Sequence, residues 1–253
     1  MSQGHGRPMS PWAGALQILR FNWPDYLAAL TVCAIAALVL ALPRFADWRP
    51  AAAAALALTG YLVIASLAAS HWIYDRSALA DWRFVADWLP SLPGRWMLIQ
   101  TGFDSTHGQI AGRLPPSPLP VLDLYGTLGV DGGSVRRARQ LAERDGLGPF
   151  VTALPQDVAS VDAFLAIFAL HEVRDRATRE EFFRAMARAL VPGGRLLLVE
   201  HLRDWRNFLA FGFGFVHFLS ERDWGRAAGA ARLREVRKAR ITPFVRVFLW
   251  EKP

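Results

Sequence analysis

The sequence predicts an α/β chain, a doubly wound and mostly parallel sheet with helices on its faces, preceded by a two-helix transmembrane hairpin. Three observations predict it. Two long uncharged runs stand next to each other before residue 75. Beyond Trp96, short apolar runs alternate with amphipathic stretches, the pattern of a sheet covered by crossover helices. The sharp change of composition between the two parts falls near Asp75, where a domain boundary is expected.

The first part is read from length and charge. Tyr26 to Leu42 is a run of 17 residues without a charge, and Ala51 to Ser70 a run of 20 that stays apolar to Tyr74. A helix rises about 1.5 Å per residue, so about 17 to 25 apolar residues cross a hydrocarbon layer about 30 Å thick. Pro43 to Pro50 has room only for a turn, so the two spans form an antiparallel hairpin with both ends on one side. A signal peptide is the alternative for the first run. It starts late, has no clear small-residue cleavage site, and is followed at once by a second span. Arginines are almost balanced around the hairpin, with Arg7 and Arg20 before it, Arg44 and Arg49 in the turn, and Arg76 and Arg83 after it, so the positive-inside rule decides little. The expected organisation is an N-terminal cytoplasmic segment (1–25), the hairpin (26–74), an interfacial or linker helix (75–95) and an α/β domain (96–253). After the second span and through the third segment, Trp72, Tyr74, Trp82, Phe84 and Trp88 mix with charges. That mixture suits a helix lying on the bilayer and equally a linker packed on the domain.

Composition narrows the partners. Hydrophobic residues make up 53% of the 253 residues, and 29 basic against 22 acidic side chains give a formal charge of +7. Lys238 and Lys252 are the only lysines, an arginine bias that points to a GC-rich bacterial genome. Scattered positive charge beside a bilayer anchor favours anionic lipid over nucleic acid as its partner. The single cysteine, Cys33, excludes an intramolecular disulfide and a cysteine-cluster metal site. Three dispersed histidines do not make a metal site either, so none is expected.

In the second part the clearest stretch is central. Asp162 opens the apolar run Ala163 to Leu170, the composition of a strand buried on both faces. Thr178 is placed to cap the next helix, Glu180 and Glu181 suit its N-terminus, and Phe182, Phe183, Met186 and Leu190 recur at helical spacing. Pro192-Gly193-Gly194 then stops the helix and turns the chain into a second buried strand, Arg195 to Glu200.

Leu154-Pro155, Asp162 at the strand opening, the segment Leu170 to Asp175, Pro192-Gly193-Gly194 and Glu200 together resemble the class I S-adenosylmethionine-dependent methyltransferases, over about Trp96 to Lys252. The resemblance implies a seven-stranded, Rossmann-like methyltransferase fold. It makes Trp96 to Gln100 strand one, Asp104 to Arg113 its helix, Pro120 to Leu124 strand two, Ser134 to Glu143 the next helix and Pro149 to Ala153 strand three. Glu221 to Ala231 becomes the last helix, and Leu233 to Ile241 with Pro243 to Glu251 the terminal hairpin. An alternative register takes Val121 to Leu124 as strand one. Only 39 positions then separate Asp123 from Asp162, too few for two crossovers, whereas Gln100 lies 62 positions before Asp162.

The resemblance also implies the cofactor, S-adenosyl-L-methionine, beyond the carboxyl ends of the strands. Gln100, Gly102, Asp104, Asp123 and Phe168 stand at the cofactor positions. The chain departs from the family's pattern there: Gln100 replaces an acid, Asp104 and Thr106 replace glycines, and Phe150 and Val151 occupy the usual place of an adenine-contacting acid. His171 and Glu172 are the catalytic candidates, since a histidine or carboxylate can take the proton of an oxygen or nitrogen acceptor; a histidine that merely closes the strand end is the alternative. His201, Asn207 and His217 are candidates on the acceptor side. The Phe and Gly-rich segment Phe208 to Leu219 suits an apolar lid and equally core packing. The expected function is a membrane-anchored methyltransferase acting on a small lipophilic acceptor such as a quinone, isoprenoid or fatty-acid derivative. It is expected in a bacterial inner membrane with its α/β domain in the cytoplasm. The alternative is a catalytically silent methyltransferase-like scaffold or binding module.

Overall fold

The computed structural model describes residues 11–80, 82–89, 94–101, 110, 112–144 and 151–253. The first described helix is α1 (Ala13–Phe21), and the carboxylate that caps it comes from far along the sequence. The Gly14 and Ala15 N–H groups donate to the two carboxylate oxygens of Asp75, at 2.6 and 3.1 Å. Helix α2 (Trp23–Ala41) and helix α3 (Arg49–His71) follow, joined by the 3-10 turn Pro43–Trp48. Both helices have a proline in the first turn, where the missing N–H breaks no bond. They run antiparallel, with Tyr26 Oη and Ser66 Oγ hydrogen-bonded at 3.1 Å. At 1.5 Å per residue they are roughly 28 and 34 Å long, and both are long and apolar enough to cross a membrane. Their outward faces are uncovered apolar surface: Leu30 is 65% and Ile64 70% exposed. Exposed Trp23 and Trp72 mark one end of the hairpin and exposed Trp48 the other.

A π-helical turn, Trp72–Arg76, leads to the short helix α4 (Phe84–Trp88). Trp82, Phe84, Val85, Trp88 and Leu89 are buried against the sheet. Packing on the domain therefore accounts for these aromatics, and Trp72 alone faces outward.

The sheet comprises β1 (Trp96–Gln100), β2 (Leu122–Asp123), β3 (Val161–Ile167), β4 (Leu190–His201), β5 (Arg234–Arg240) and β6 (Val245–Glu251), in the order β2-β1-β3-β4-β6-β5. The pairings among β2, β1, β3 and β4 are parallel, and those of β6 with β4 and β5 are antiparallel. The sheet is thus mixed, and among the described residues it has six strands where seven were expected. The expected third strand is reduced there to one parallel bridge between Val151 and Leu122. Strand residues alternate between two cores, Met97 and Ile99 on one face and Trp96 and Leu98 on the other, which is why β1 and β3 read as unbroken apolar runs.

Helices α5 (Gly133–Arg144), α6 (Arg176–Ala189), α7 (Trp205–Phe211) and α8 (Glu221–Ala230) lie between these strands in the sequence, with 3-10 turns at Leu170–Glu172 and Gly212–His217. Helix α6 starts earlier than expected. Its cap is Asp175, which accepts from the Thr178 N–H at 2.7 Å, so Thr178 is the capped residue and not the cap. Gly193, at φ +74°, makes the tight turn at the start of β4, and its N–H donates to the Lys252 carbonyl.

The hairpin is not a loose tether. Ala69 near the end of α3 and Ile73 in the π-helical turn after it pack into the sheet's second core. Arg137 of α5 donates to the Phe21 carbonyl, and Tyr61 in mid-α3 donates its hydroxyl to the Leu209 carbonyl of α7 at 2.9 Å.

Candidate functional site

The direction of winding reverses between β1 and β3, and a cavity of about 750 Å³ opens at their carboxyl ends, the position and size expected of a ligand site in such sheets. Its upper wall includes Gln100, Phe168, His171, Glu172 and His201. It continues downward between α2 and α3, past Ser70, Ser66, Val63 and Thr59.

His171 and Glu200 form its best-defined group. Glu200 is fully buried at the end of β4 and accepts three hydrogen bonds. They come from the Leu170 N–H (2.9 Å), the His171 N–H (3.2 Å) and His171 Nδ1–H (2.7 Å). That arrangement fixes the ring and its tautomer, leaving Nε2 as the atom free for exchange with a ligand. Glu172 Oε1 lies 3.6 Å from Nε2. Burial pushes the His171 pKa down, but the Glu200 carboxylate beside it more than compensates and holds it above the ordinary histidine value.

His201 is held in the opposite sense. Its Nδ1–H donates to the Phe244 carbonyl at 3.2 Å, so Nε2 must be the acceptor for the Tyr74 hydroxyl at 3.1 Å. Phe168 and Phe218 stack on its two faces, at 5.0 and 4.8 Å between ring centroids. Burial first, and then the neighbouring charge of His171, bring its pKa down to about 3. His201 is therefore a neutral strut of the cavity wall. Phe168 adopts φ +46°, a conformation costly for a bulky residue, and turns its ring across the strand end between His201 and the edges of Tyr74 and Trp82.

The other expected residues divide. Gln100 lines the cavity, and both polar atoms of its buried amide lack a hydrogen-bond partner among the described residues. Thr101 Oγ1 next to it and Ser70 Oγ on α3 are in the same state. Gly102 and Asp104 lie outside the described residues, as do Phe103, Thr106 and Phe150. Asp123 is fully buried and does not face the cavity; it accepts from the Tyr125 N–H at 2.9 Å and pairs with Arg139, whose guanidinium also lies over the Tyr125 ring. Asn207 does not reach the cavity either: its amide donates to Asp204 Oδ1 and the Phe244 carbonyl, tying α7 to the turn before β6. His217 lines the far rim, where Arg174 donates to its Nε2.

Sequence reading missed Ser70, Tyr74 and Arg139. A signal for the first existed: Thr59, Val63, Ser66 and Ser70 fall on one stripe of α3, and polar residues inside a membrane-length helix mark function. Nothing in the sequence pairs Arg139 with Asp123.

Among the described residues nothing answers the Gln100 amide, and a buried amide left unpaired costs about 1–3 kcal/mol. The site therefore fits a ligand with polar functions at the end of β1. A contact with Asp123 would require Arg139 to move.

A family model described as a methyltransferase domain matches residues 122–198, from β2 through most of β4. No curated protein matches the chain. Solved structures do. The pyocyanin biosynthetic protein PhzM is 15% identical over 86% of this chain and 72% of its own, with a TM-score of 0.50. A SAM-dependent methyltransferase from Aquifex aeolicus is 16% identical over 67% and 88%, with a TM-score of 0.49. An O-methyltransferase family 2 protein from Planctomyces limnophilus, in complex with apigenin, is 20% identical over 77% and 61%, with a TM-score of 0.48. At these identities the likeness to PhzM is one of fold.

Proposed function

We propose that the chain is an S-adenosylmethionine-dependent methyltransferase, held in a bacterial inner membrane by the α2–α3 hairpin and acting from the cytoplasmic side on a small lipophilic acceptor. The observation that carries this reading is the cavity itself. It joins the Gln100 amide at the end of β1, unpartnered among the described residues, to a carboxylate-oriented histidine after β3 and then runs on between two apolar helices. The methyltransferase-domain match over residues 122–198 supports it.

When bound, the cofactor supplies an electrophilic methyl group. Gln100 and Phe168 are the described residues that would hold it. His171 lines the cavity, and its Nε2 takes the proton of an acceptor hydroxyl, phenol or amine as it becomes nucleophilic, while Glu200 on Nδ1 stabilises the imidazolium that results. Glu172 adds a second negative charge beside Nε2. The stacked rings of Phe168, His201 and Phe218 give the transfer path an aromatic wall.

The engagement of Asp123 by Arg139 favours a second reading, a methyltransferase-like membrane scaffold without catalysis. Full-length protein in lipid nanodiscs, given methyl-labelled S-adenosylmethionine and a bacterial lipid extract, separates the two. Label is expected in the organic phase and is expected to fall by about 10²–10⁴-fold in His171→Ala. No label in any acceptor fraction supports the scaffold.

A further inference from the structure

The cavity and the elements around it carry a conclusion about how an acceptor reaches the site. Tyr61 donates to the Leu209 carbonyl, and Gly212 sits so close to α3 that an added Cβ would stand 3.0 Å from Leu62 Cδ2. Helix α7 and the turn Gly212–His217 are therefore fixed beside the middle of α3. From Tyr61 to the end of α3 at His71 is ten residues, about 15 Å, or half of a hydrocarbon layer about 30 Å thick. If α3 spans, this segment lies within one leaflet.

Its surface agrees. Asn207 to Val216 contains no charge, and arginines stand just before it at Arg203 and Arg206 and after it at Arg222. Phe213 is 83% and Trp205 66% exposed, with Val216 and Leu209 beside them. These side chains continue the uncovered apolar surface of the hairpin, as a leaflet-embedded element requires.

The cavity passes behind this segment. Its upper end is polar, with Gln100, His171 and the buried Ser70 Oγ, which has no partner among the described residues. Its lower end is walled by Ala29, Leu62, Val63 and Phe211, with Tyr26 and Ser66 satisfying each other. From Ser70 to Thr59 along α3 is eleven residues, about 16 Å.

From these observations we infer that the site is loaded sideways from the bilayer by a single-chain amphiphile. Its polar head stands between Ser70 and His171, beside the Gln100 end kept for the cofactor, and its hydrocarbon chain lies between α2, α3 and the Phe211 to Phe218 segment. This rests on the membrane reading of the hairpin and deepens the reading of the acceptor.

The test uses the full-length chain in nanodiscs containing a trace of palmitate bearing a diazirine near its chain end, photolysed and mapped by mass spectrometry. Adducts are expected on Leu62, Val63 and Phe211, and their loss at Leu62 and Phe211 is expected in Val63→Trp, which fills the groove. Adducts on outward Leu30 and Ile64 are expected to persist in that variant and so report that the hairpin remains in the bilayer. Labelling confined to the outward residues, or unchanged labelling of Phe211 in Val63→Trp, would overturn the inference. S-adenosylmethionine binding measured in the same discs reads the methyltransferase proposal separately. Cavity labelling without cofactor binding would sink that proposal and leave the lipid groove standing.

Discussion

His171 stands just beyond β3 and His201 is the last residue of the neighbouring parallel strand β4, yet their surroundings drive them in opposite directions, with two testable consequences. The folded pKa of His201, about 3, lies below the ordinary value of about 6.5. Between those values the unfolded chain holds a proton that the folded chain does not. Stability should therefore fall as pH drops through that window, by about 1.4 kcal/mol per unit. His171 is raised, so its contribution is complete below the unfolded value and is lost as pH climbs through its folded pKa. Denaturant titrations across pH should show a maximum near the ordinary histidine value, with the acid limb flattened in His201→Phe and the alkaline limb in His171→Gln. Activity should rise with pH as His171 loses its proton, and Glu200→Gln should move that limb to lower pH while lowering the maximal rate; a pH–rate profile checks both. His171 was legible as a candidate because a polar residue followed a buried strand. The neutral state of His201 was not, since it depends on Tyr74 and on Phe244, 127 and 43 positions away.

At the scale of elements, uniform runs were easier to read than short ones. Helices α2 and α3 were placed to within a few residues because their apolar runs have sharp ends. Strand β2 shrank to Leu122–Asp123 behind Pro115, Pro116, Pro118 and Pro120, which cannot donate to a ladder. The start of α6 was misjudged because Asp175 and Thr178 are both good capping residues, and only the hydrogen bond between them shows which one caps. The docking of α7 on α3 was invisible in the sequence, and it depends on Gly212, whose φ is +55°. Gly212→Ala should cost about 1–3 kcal/mol from backbone strain, together with a contact against Leu62. Leu62→Ala in the same chain should relieve the contact and leave the strain. Unfolding of the single and double variants in detergent micelles measures the difference.

Across the whole molecule, the hairpin, the linker and the sheet form one packed unit. Asp75 caps α1, Arg137 holds α1 to α5, and Ile73 enters the core beneath the sheet. A chain anchored in this way should remain in the membrane pellet after an alkaline carbonate wash; its release into the supernatant would refute the anchor. The central claim, that the carboxyl ends of β1 and β3 hold S-adenosylmethionine, is tested most directly by titrating the full-length protein in nanodiscs with that cofactor in a calorimeter. Saturable heat is expected, with binding weakened in Gln100→Ala. No heat at millimolar cofactor would contradict the claim.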